Sequence, residues 1–161
     1  MISTKKQQYT SDITIRPLAG SEIETAHKLA WDVFLEFEAP DYPPEGVEEF
    51  RLTLKNEEYL SGLKYYGAFD GEKLVGILAI RAIREAAAHI CFFFVDAQYQ
   101  RKGIGTKLFS RMMEDFSGRT VTLNSAPYGK PFYKKLGFVE TDCEQSVNGI
   151  TFTPMVYRQD I

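Results

Sequence analysis

The sequence predicts a single domain of the mixed α+β class, and three observations support this prediction. Its 161 residues are 44% apolar and 25% charged, which is enough to bury one core. Strand-like segments alternate with segments whose apolar residues recur at helical spacing. Turns rich in glycine and proline separate these segments. The predicted order is β-α-α-β-β-β-α-β-α-β-β within residues 12–161, after a flexible polar segment at residues 1–11.

The first third of the chain predicts one strand and two helices. Residues 13–18 alternate in polarity and end near a proline, as a strand does. Ser21 and Glu24 have the spacing of a capping box, which would open a helix with apolar residues from Ile23 to Phe37 on one face. Prolines end this helix, and a second helix is expected over about residues 45–55.

The middle of the chain predicts a two-stranded hairpin, a third strand after it and then a helix. The strand-like residues 65–69 and 74–80 flank the turn sequence Asp-Gly-Glu-Lys at residues 70–73. Another strand, at about residues 87–95, leads into a loop with two glycines. After this loop the apolar residues follow helical spacing as far as Phe116.

The last third predicts a strand, a short helix and a closing hairpin. The strand covers residues 119–124. Pro131 suits the first turn of a helix and Gly137 suits the position just after its end. Two closing strands, near residues 138–143 and 150–157, are joined through an Asn-Gly turn signal at 148–149.

The loop between the strand at 87–95 and its helix carries the clearest functional motif. Residues 100–105 have the pattern Gln-x-x-Gly-x-Gly. Glycines leave amide N–H groups unshielded, and a helix start adds unpaired donors and a positive dipole end, so the loop is suited to phosphate oxygens. A tight turn without a ligand is the alternative. A dinucleotide fingerprint is excluded because Leu108 replaces its third glycine, and the Gly-Lys-Ser/Thr of a nucleotide-triphosphate loop is missing.

The loop resembles the acyl-coenzyme A pyrophosphate loop of the GCN5-related N-acetyltransferases (GNAT), whose pattern is Arg/Gln-x-x-Gly-x-Gly/Ala. Residues 123–138, which include Phe-Tyr-Lys-Lys-Leu-Gly-Phe, are similar to the family's segment after its fifth strand. Ala97 stands where many relatives have proline, which leaves the loop less stiff. The resemblance extends over about residues 13–157. It implies a three-layer α/β/α fold with a central, mostly antiparallel sheet of about six to seven strands and helices on both faces.

The activity implied by this resemblance is transfer of an acetyl group from acetyl-CoA (coenzyme A) to a primary amine. The acceptor would be a small molecule or a protein amine that attacks the thioester directly, through a tetrahedral intermediate. The alternative is a non-catalytic domain of the same fold that binds acyl-CoA as a sensor or scaffold. Retention of Tyr133, Asn124 and the glycine loop favours the enzyme.

The resemblance also assigns roles to individual residues. Tyr133, whose phenol keeps its proton at neutral pH, is the candidate that protonates the departing thiolate, with a core aromatic as the alternative. Asn124 would bind the pantetheine arm or a water, or else simply end its strand. His89 has two interpretations that the sequence supports equally, a general base and a surface histidine at a strand end. The residues expected to contact the cofactor, together with Asn124 and Tyr133, are Phe93, Phe94, Val95, Gln100, Arg101, Lys102, Gly103, Ile104, Gly105 and Thr106.

Acidic residues are concentrated between the two N-terminal helices, where this fold is expected to receive the acceptor. They are Glu36, Glu38, Asp41 and Glu45, with Tyr42 nearby. One interpretation is that their field and the aromatic ring attract a cationic amine. The other, which we favour from sequence, is a solvated loop before a helix whose first turn accommodates acidic residues.

The composition of the chain limits its expected binding partners and its expected cellular location. A net charge of −3 argues against nucleic acid, which requires a basic surface. There is no apolar run long enough for a membrane span and no signal-peptide core, so a cytoplasmic protein is expected. Cys91 and Cys143 have neither disulfide nor metal spacing, so no metal is expected, and Cys91 is predicted to be a buried small hydrophobe. Acetyl-CoA and an amine are the expected partners, and a homodimer is compatible with the sequence.

Overall fold

A computed structural model describes residues 12–116 and 118–159, and the centre of this part of the chain is an eight-stranded sheet. The predicted flexibility of residues 1–11 lies outside the described residues. The strands are β1 (Ile13–Pro17), β2 (Lys64–Asp70), β3 (Lys73–Arg84), β4 (Ala87–Val95), β5 (Thr120–Ser125), β6 (Val139–Glu140), β7 (Gln145–Val147) and β8 (Ile150–Arg158).

The strand order is β1-β2-β3-β4-β5-β8-β6, with β7 paired to β8 as a hairpin. Every neighbouring pair is antiparallel except β4 and β5, which are parallel. The predicted mixed, mostly antiparallel sheet is therefore confirmed. The closing segment differs in detail, because the strand expected over residues 138–143 shortens to β6 and a separate β7 follows it.

Helices cover both faces of the sheet, as predicted. They are α1 (Ile23–Phe37), α2 (Pro44–Thr53), α3 (Glu57–Leu60), α4 (Ile104–Asp115) and α5 (Lys130–Leu136). The sequence analysis missed α3, which is a single turn. None of the helices in residues 12–116 and 118–159 combines the length and the apolar character needed to cross a membrane.

Two hydrophobic cores lie on opposite faces of the sheet. On one face α4 buries an apolar stripe formed by Ile104, Leu108, Phe109 and Met112, each at most 5% exposed. Residues three and four apart share a helical face, so the predicted spacing is what turns these side chains inward. Burying each of them contributes roughly 2 kcal/mol relative to leaving it in water. On the other face α1 buries a similar stripe: Ala26, Leu29, Ala30, Val33 and Phe34.

The start of α1 is capped differently from the prediction. The expected capping box at Ser21 and Glu24 is wrong, because a 3-10 turn at Gly20–Glu22 precedes the helix. The Glu22 carboxylate instead accepts the Ala19 N–H at 2.8 Å and both terminal nitrogens of Arg16 at 2.9 and 2.7 Å. The Arg16 guanidinium and then the Ala19 amide lower the pKa of Glu22 to about 2. The cap therefore fastens α1 to β1.

Candidate active site

The parallel strands β4 and β5 pair over only three residues each. Residues 87–89 of β4 lie opposite residues 120–122 of β5, and from Ile90 onward β4 has a partner only on its β3 side within the described residues. The two strands diverge beyond this point. The gap opens into a cavity of about 990 Å³, lined by residues 90–95 of β4, by Leu123 and Asn124 of β5, and by α1, α2 and α5.

Divergence leaves one edge of β4 without a strand partner. The Asp96 N–H donates to the Val75 carbonyl at 2.8 Å, which makes these two a hydrogen-bonded antiparallel pair. Because such pairs alternate along a strand, Phe94 also directs its main chain towards β3, while Phe93 and Val95 direct theirs towards the gap. The free edge thus consists of Phe93 and Val95. Phe94 also lines the cavity, and it packs in the core beside α1.

A β-bulge in β4 changes which side chains face each core. Ile80 pairs with Ile90 and Ala79 pairs with Phe92, so Cys91 is the extra residue. In a regular strand Ile90 and Phe92 would share a face. Here Ile90 packs in the core beside α4, whereas Phe92 packs in the core beside α1. The bulge therefore directs aromatic rings towards the α1 side of the cavity.

The loop after β4 has the conformation that exposes main-chain donors. Arg101 and Gly103 lie in the left-handed region, with φ of 62° and 81°. Among the described residues, none of the N–H groups of residues 101–106 donates to a main-chain acceptor, and the first helical bond runs from the Lys107 N–H to the Gly103 carbonyl at 3.0 Å. A Cβ added to Gly103 would have no atom within 4 Å. Unpaired amides at a helix start in open space are suited to bind phosphate oxygens.

Most of the predicted loop residues line the cavity, with one exception. Gln100, Arg101, Gly103, Ile104, Gly105 and Thr106 all line it, whereas Lys102 does not. Lys102 is partly buried at the turn and lies outside the cavity lining, so its unpaired main-chain N–H is the group that stays a candidate for cofactor contact. Gly105 is required because the main chain of the loop approaches α5 closely there: a Cβ at this position would lie 2.8 Å from the Phe132 ring.

Tyr133 lines the cavity from α5. Its ring packs against Phe93 at 5.9 Å and Phe138 at 5.8 Å between centroids, and a Cβ on Gly129 would come within 2.9 Å of it. Burial raises the pKa of the Tyr133 phenol, and the charge of Glu38 raises it further. The phenol therefore keeps its proton at neutral pH, as an acid catalyst must.

Asn124 and His89 lie on different sides of the point where β4 and β5 separate. Asn124 lines the cavity beyond that point. His89 lies before it, and its Nδ1 is 2.8 Å from the Thr122 hydroxyl. Burial and the nearby Arg81 lower its pKa. His89 is partly buried and is not among the residues that line the cavity.

One of the four acidic residues considered in the sequence faces the cavity. Glu36, Asp41 and Glu45 are exposed, whereas Glu38 is partly buried at the end of α1 and lines the cavity. Burial, followed by the nearby charge of Asp41, raises the pKa of Glu38 to about 7. Glu36, Asp41 and Glu45 are therefore solvated, as we favoured from sequence, whereas Glu38 is not.

Several lining residues were not found from sequence. Cys91, expected to be buried, is half-buried and lines the cavity together with Tyr59 of α3. At the mouth, the Tyr128 hydroxyl donates to Gln100 Oε1 at 2.7 Å, and the Tyr128 ring stacks on Phe37 at 4.8 Å. These contacts connect the loop to the end of α1. They depend on tertiary packing between distant segments, which no local sequence pattern predicts.

The described residues contain no group of three or more His, Cys, Asp or Glu side chains arranged to hold a metal ion. What they contain is a divided sheet with a free strand edge, a set of unpaired amides and a buried phenol around one cavity. These features define a site suited to a ligand with a phosphate group and an extended arm. Residues 38–159 match the acetyltransferase (GNAT) domain family. The chain belongs to this family, which confirms the resemblance.

Solved structures share the fold. A crystal structure of a PaiA N-acetyltransferase from Thermoplasma acidophilum, in complex with coenzyme A, is 21% identical with a TM-score of 0.73 and covers 91% of this chain and 99% of its own. A spermidine N-acetyltransferase from Vibrio cholerae, in complex with CoA and spermine, is 17% identical with a TM-score of 0.62 and covers 92% and 96%. An aminoglycoside 6′-N-acetyltransferase complexed with coenzyme A is 14% identical with a TM-score of 0.64 and covers 90% and 96%. A comparison with curated protein sequences finds no match.

Proposed function

We propose that the protein is an N-acetyltransferase that transfers the acetyl group of acetyl-CoA to a primary amine by direct attack. One observation carries the proposal: the unpaired amides of residues 101–106 and the free edge at Phe93 and Val95 open onto the same cavity as the Tyr133 phenol. A diphosphate, an amide-containing arm and a thioester occur in that order in coenzyme A thioesters. The neighbouring structures that contain coenzyme A support the same assignment.

The residues present fit acetyl-CoA. The amides of residues 101–106 would hold its diphosphate, with Arg101 adding positive charge at the rim. Phe93 and Val95 would pair with the amides of its arm, as one strand adds to another, and Asn124 would bind the arm or a water beside it. The Gln100 side-chain amide donates a hydrogen bond to the Val95 carbonyl at 3.0 Å. The Val95 N–H and the N–H and carbonyl of Phe93 therefore remain available to the arm of the cofactor. Acetyl-CoA supplies the electrophilic thioester carbonyl.

Tyr133 takes part in two of the three proton transfers in the proposed reaction. The acceptor loses one proton before it attacks, since an ammonium with a pKa of about 10.4 has no free electron pair at neutral pH. As the C–N bond forms and the C–S bond breaks, the sulfur receives the proton of the Tyr133 phenol. The newly acylated nitrogen gives up its second proton, which restores the phenol. One proton is released overall.

Titration with coenzyme A and a thiol-release assay test this function. We expect calorimetry to show coenzyme A binding, and acetyl-CoA with a panel of primary amines to release free thiol. Tyr133→Phe should lower kcat at least about tenfold and change the Kd for coenzyme A less than about twofold, because a general acid typically contributes about 100-fold or more. Binding without thiol release from any amine would favour the sensor alternative. Absence of coenzyme A binding would refute both.

A further inference from the structure

The charged side chains that line the cavity are separated by sign. Among the described lining residues, the cations are Arg101 of the loop and Lys135 of α5, and the anions are Glu38 at the end of α1 and Glu49 of α2. An anionic ligand is therefore favoured at the loop end and a cationic one between α1 and α2.

The end of the cavity between α1 and α2 is aromatic. The Phe34 and Phe50 rings stack at 4.2 Å, and Phe50 lies 5.8 Å from Phe94. Tyr42 packs on Phe34 at 5.7 Å, and its hydroxyl donates to the Thr151 carbonyl at 3.2 Å. The Tyr42 hydroxyl is thereby committed to the protein. What these rings present to a ligand is an apolar surface that suits a flat or aliphatic body.

The Glu38 carboxylate has no compensating partner in the described part of the chain: no hydrogen bond or ion pair is made to it. The titratable groups that face it are Asp41 and Tyr42 from the loop after α1 and Tyr133 from α5, none of which is a cation. A buried carboxylate without a partner is costly to ionise. An ammonium group entering the cavity would remove this cost.

We propose that Glu38 binds the ammonium group of the acceptor and takes its proton, and that the acceptor is a primary amine with an apolar, preferably aromatic, body. This inference rests on the proposed acetyltransferase function and names its substrate class. One proton moves from the ammonium nitrogen to a Glu38 oxygen, which leaves a neutral amine beside Tyr133 and a carboxylic acid at Glu38. The acid then returns this proton to solvent, which is the single proton released overall.

Position and acidity both suit Glu38 to this step. It is close enough to Tyr133 for its charge to raise the pKa of that phenol, so the proposed base and the proposed acid line the same part of the cavity. A carboxylate with a pKa of about 7 is ionised in a substantial fraction of molecules near neutrality and holds a proton far better than an exposed one. His89, by contrast, lies outside the cavity lining.

The test compares Glu38→Gln with Glu36→Gln, an exposed neighbour outside the cavity lining. The probe is 2-phenylethylamine, and 2-phenylethanol is its uncharged counterpart. With coenzyme A present, we expect Glu38→Gln to weaken 2-phenylethylamine binding at least about tenfold, as loss of a buried ion pair does, and to leave 2-phenylethanol and coenzyme A binding unchanged. In the parent protein kcat/KM should level off above pH 7, whereas in Glu38→Gln it should keep rising with pH as more free amine becomes available. Glu36→Gln should resemble the parent protein in all four measurements.

The outcomes separate the two proposals. Equal 2-phenylethylamine affinity in the parent and in Glu38→Gln would overturn the role of Glu38. Tighter binding of spermidine than of 2-phenylethylamine, with Glu49→Gln as damaging as Glu38→Gln, would overturn the preference for an apolar, aromatic body. If coenzyme A does not bind, the acetyltransferase proposal fails, whereas Glu38-dependent binding of 2-phenylethylamine alone would still identify the ammonium site.

Discussion

Replacing Glu38 with glutamine is expected to stabilise the folded protein above neutral pH. The partly buried carboxylate pairs with no described group and faces Asp41, so its ionised form is unfavourable in the folded state. Glutamine has nearly the same shape and never ionises. The expected gain is therefore a function of pH, which distinguishes it from an ordinary change in packing.

The size of the effect follows from the pKa of Glu38. Its ordinary value is 4.5, and burial raises it to about 7 in the folded protein. The folded state then holds a proton that the unfolded state has lost, so the stability contributed by this group is complete below pH 4.5 and disappears as the pH rises through 7. Between pH 5 and pH 8, we expect the parent protein to lose about 2.5 kcal/mol of unfolding free energy relative to Glu38→Gln.

Urea unfolding at pH 5, 6.5 and 8 measures this difference. Other titrating groups are common to both proteins, so they cancel when the variant is compared with the parent at each pH. Glu36→Gln serves as the control, since that exposed residue should give a difference that does not change with pH. A free-energy difference between Glu38→Gln and the parent that is constant from pH 5 to pH 8 would refute the buried, unpaired carboxylate.

Three further changes test the packing around the site. Gly46→Ala should cost about 1–3 kcal/mol of unfolding free energy in urea, because its Cβ would overlap the Gly149 carbonyl, whereas Gly20→Ala, with open space around it, should not. Gly103→Ala should lose about 1–2 kcal/mol, since φ is 81° there, and calorimetry should show weaker coenzyme A binding. Tyr66→Phe removes a 3.0 Å hydrogen bond to Asp115 and should cost about 1 kcal/mol in the same urea assay. Unchanged unfolding free energies would contradict each account.

Elements with strong local signals were predictable from sequence. The Asp-Gly and Asn-Gly turns both form, with φ of 61° at Gly71, 52° at Asn148 and 82° at Gly149, because these residue types tolerate the left-handed conformation. α3 was missed although Asn56 caps it by accepting the Tyr59 N–H at 3.0 Å. A four-residue helix is too short to show periodicity, and its position depends on packing against the sheet.

The site was predictable where its chemistry is local and not where it depends on pairing between distant segments. The conformation of the loop follows from its own glycines, so its exposed amides were foreseen. His89 was proposed by counting residues back from Gln100, but whether it reaches the cavity depends on where β4 and β5 separate, and they are still paired at Thr122. Nothing in either strand alone marks that point.

Glu38 was a different case, because a signal for it existed in the sequence. Ala30 and Phe34 are buried on the inner face of α1, and the next position at four-residue spacing is Glu38. A carboxylate that continues an apolar stripe must be paired, neutralised or exposed to a cavity. The divergence of β4 and β5 supplies the cavity, and it also leaves Phe93 and Val95 without a partner on the β5 side. The proposed cofactor edge and the proposed ammonium site therefore have one structural origin, and longer pairing of these two strands would abolish both.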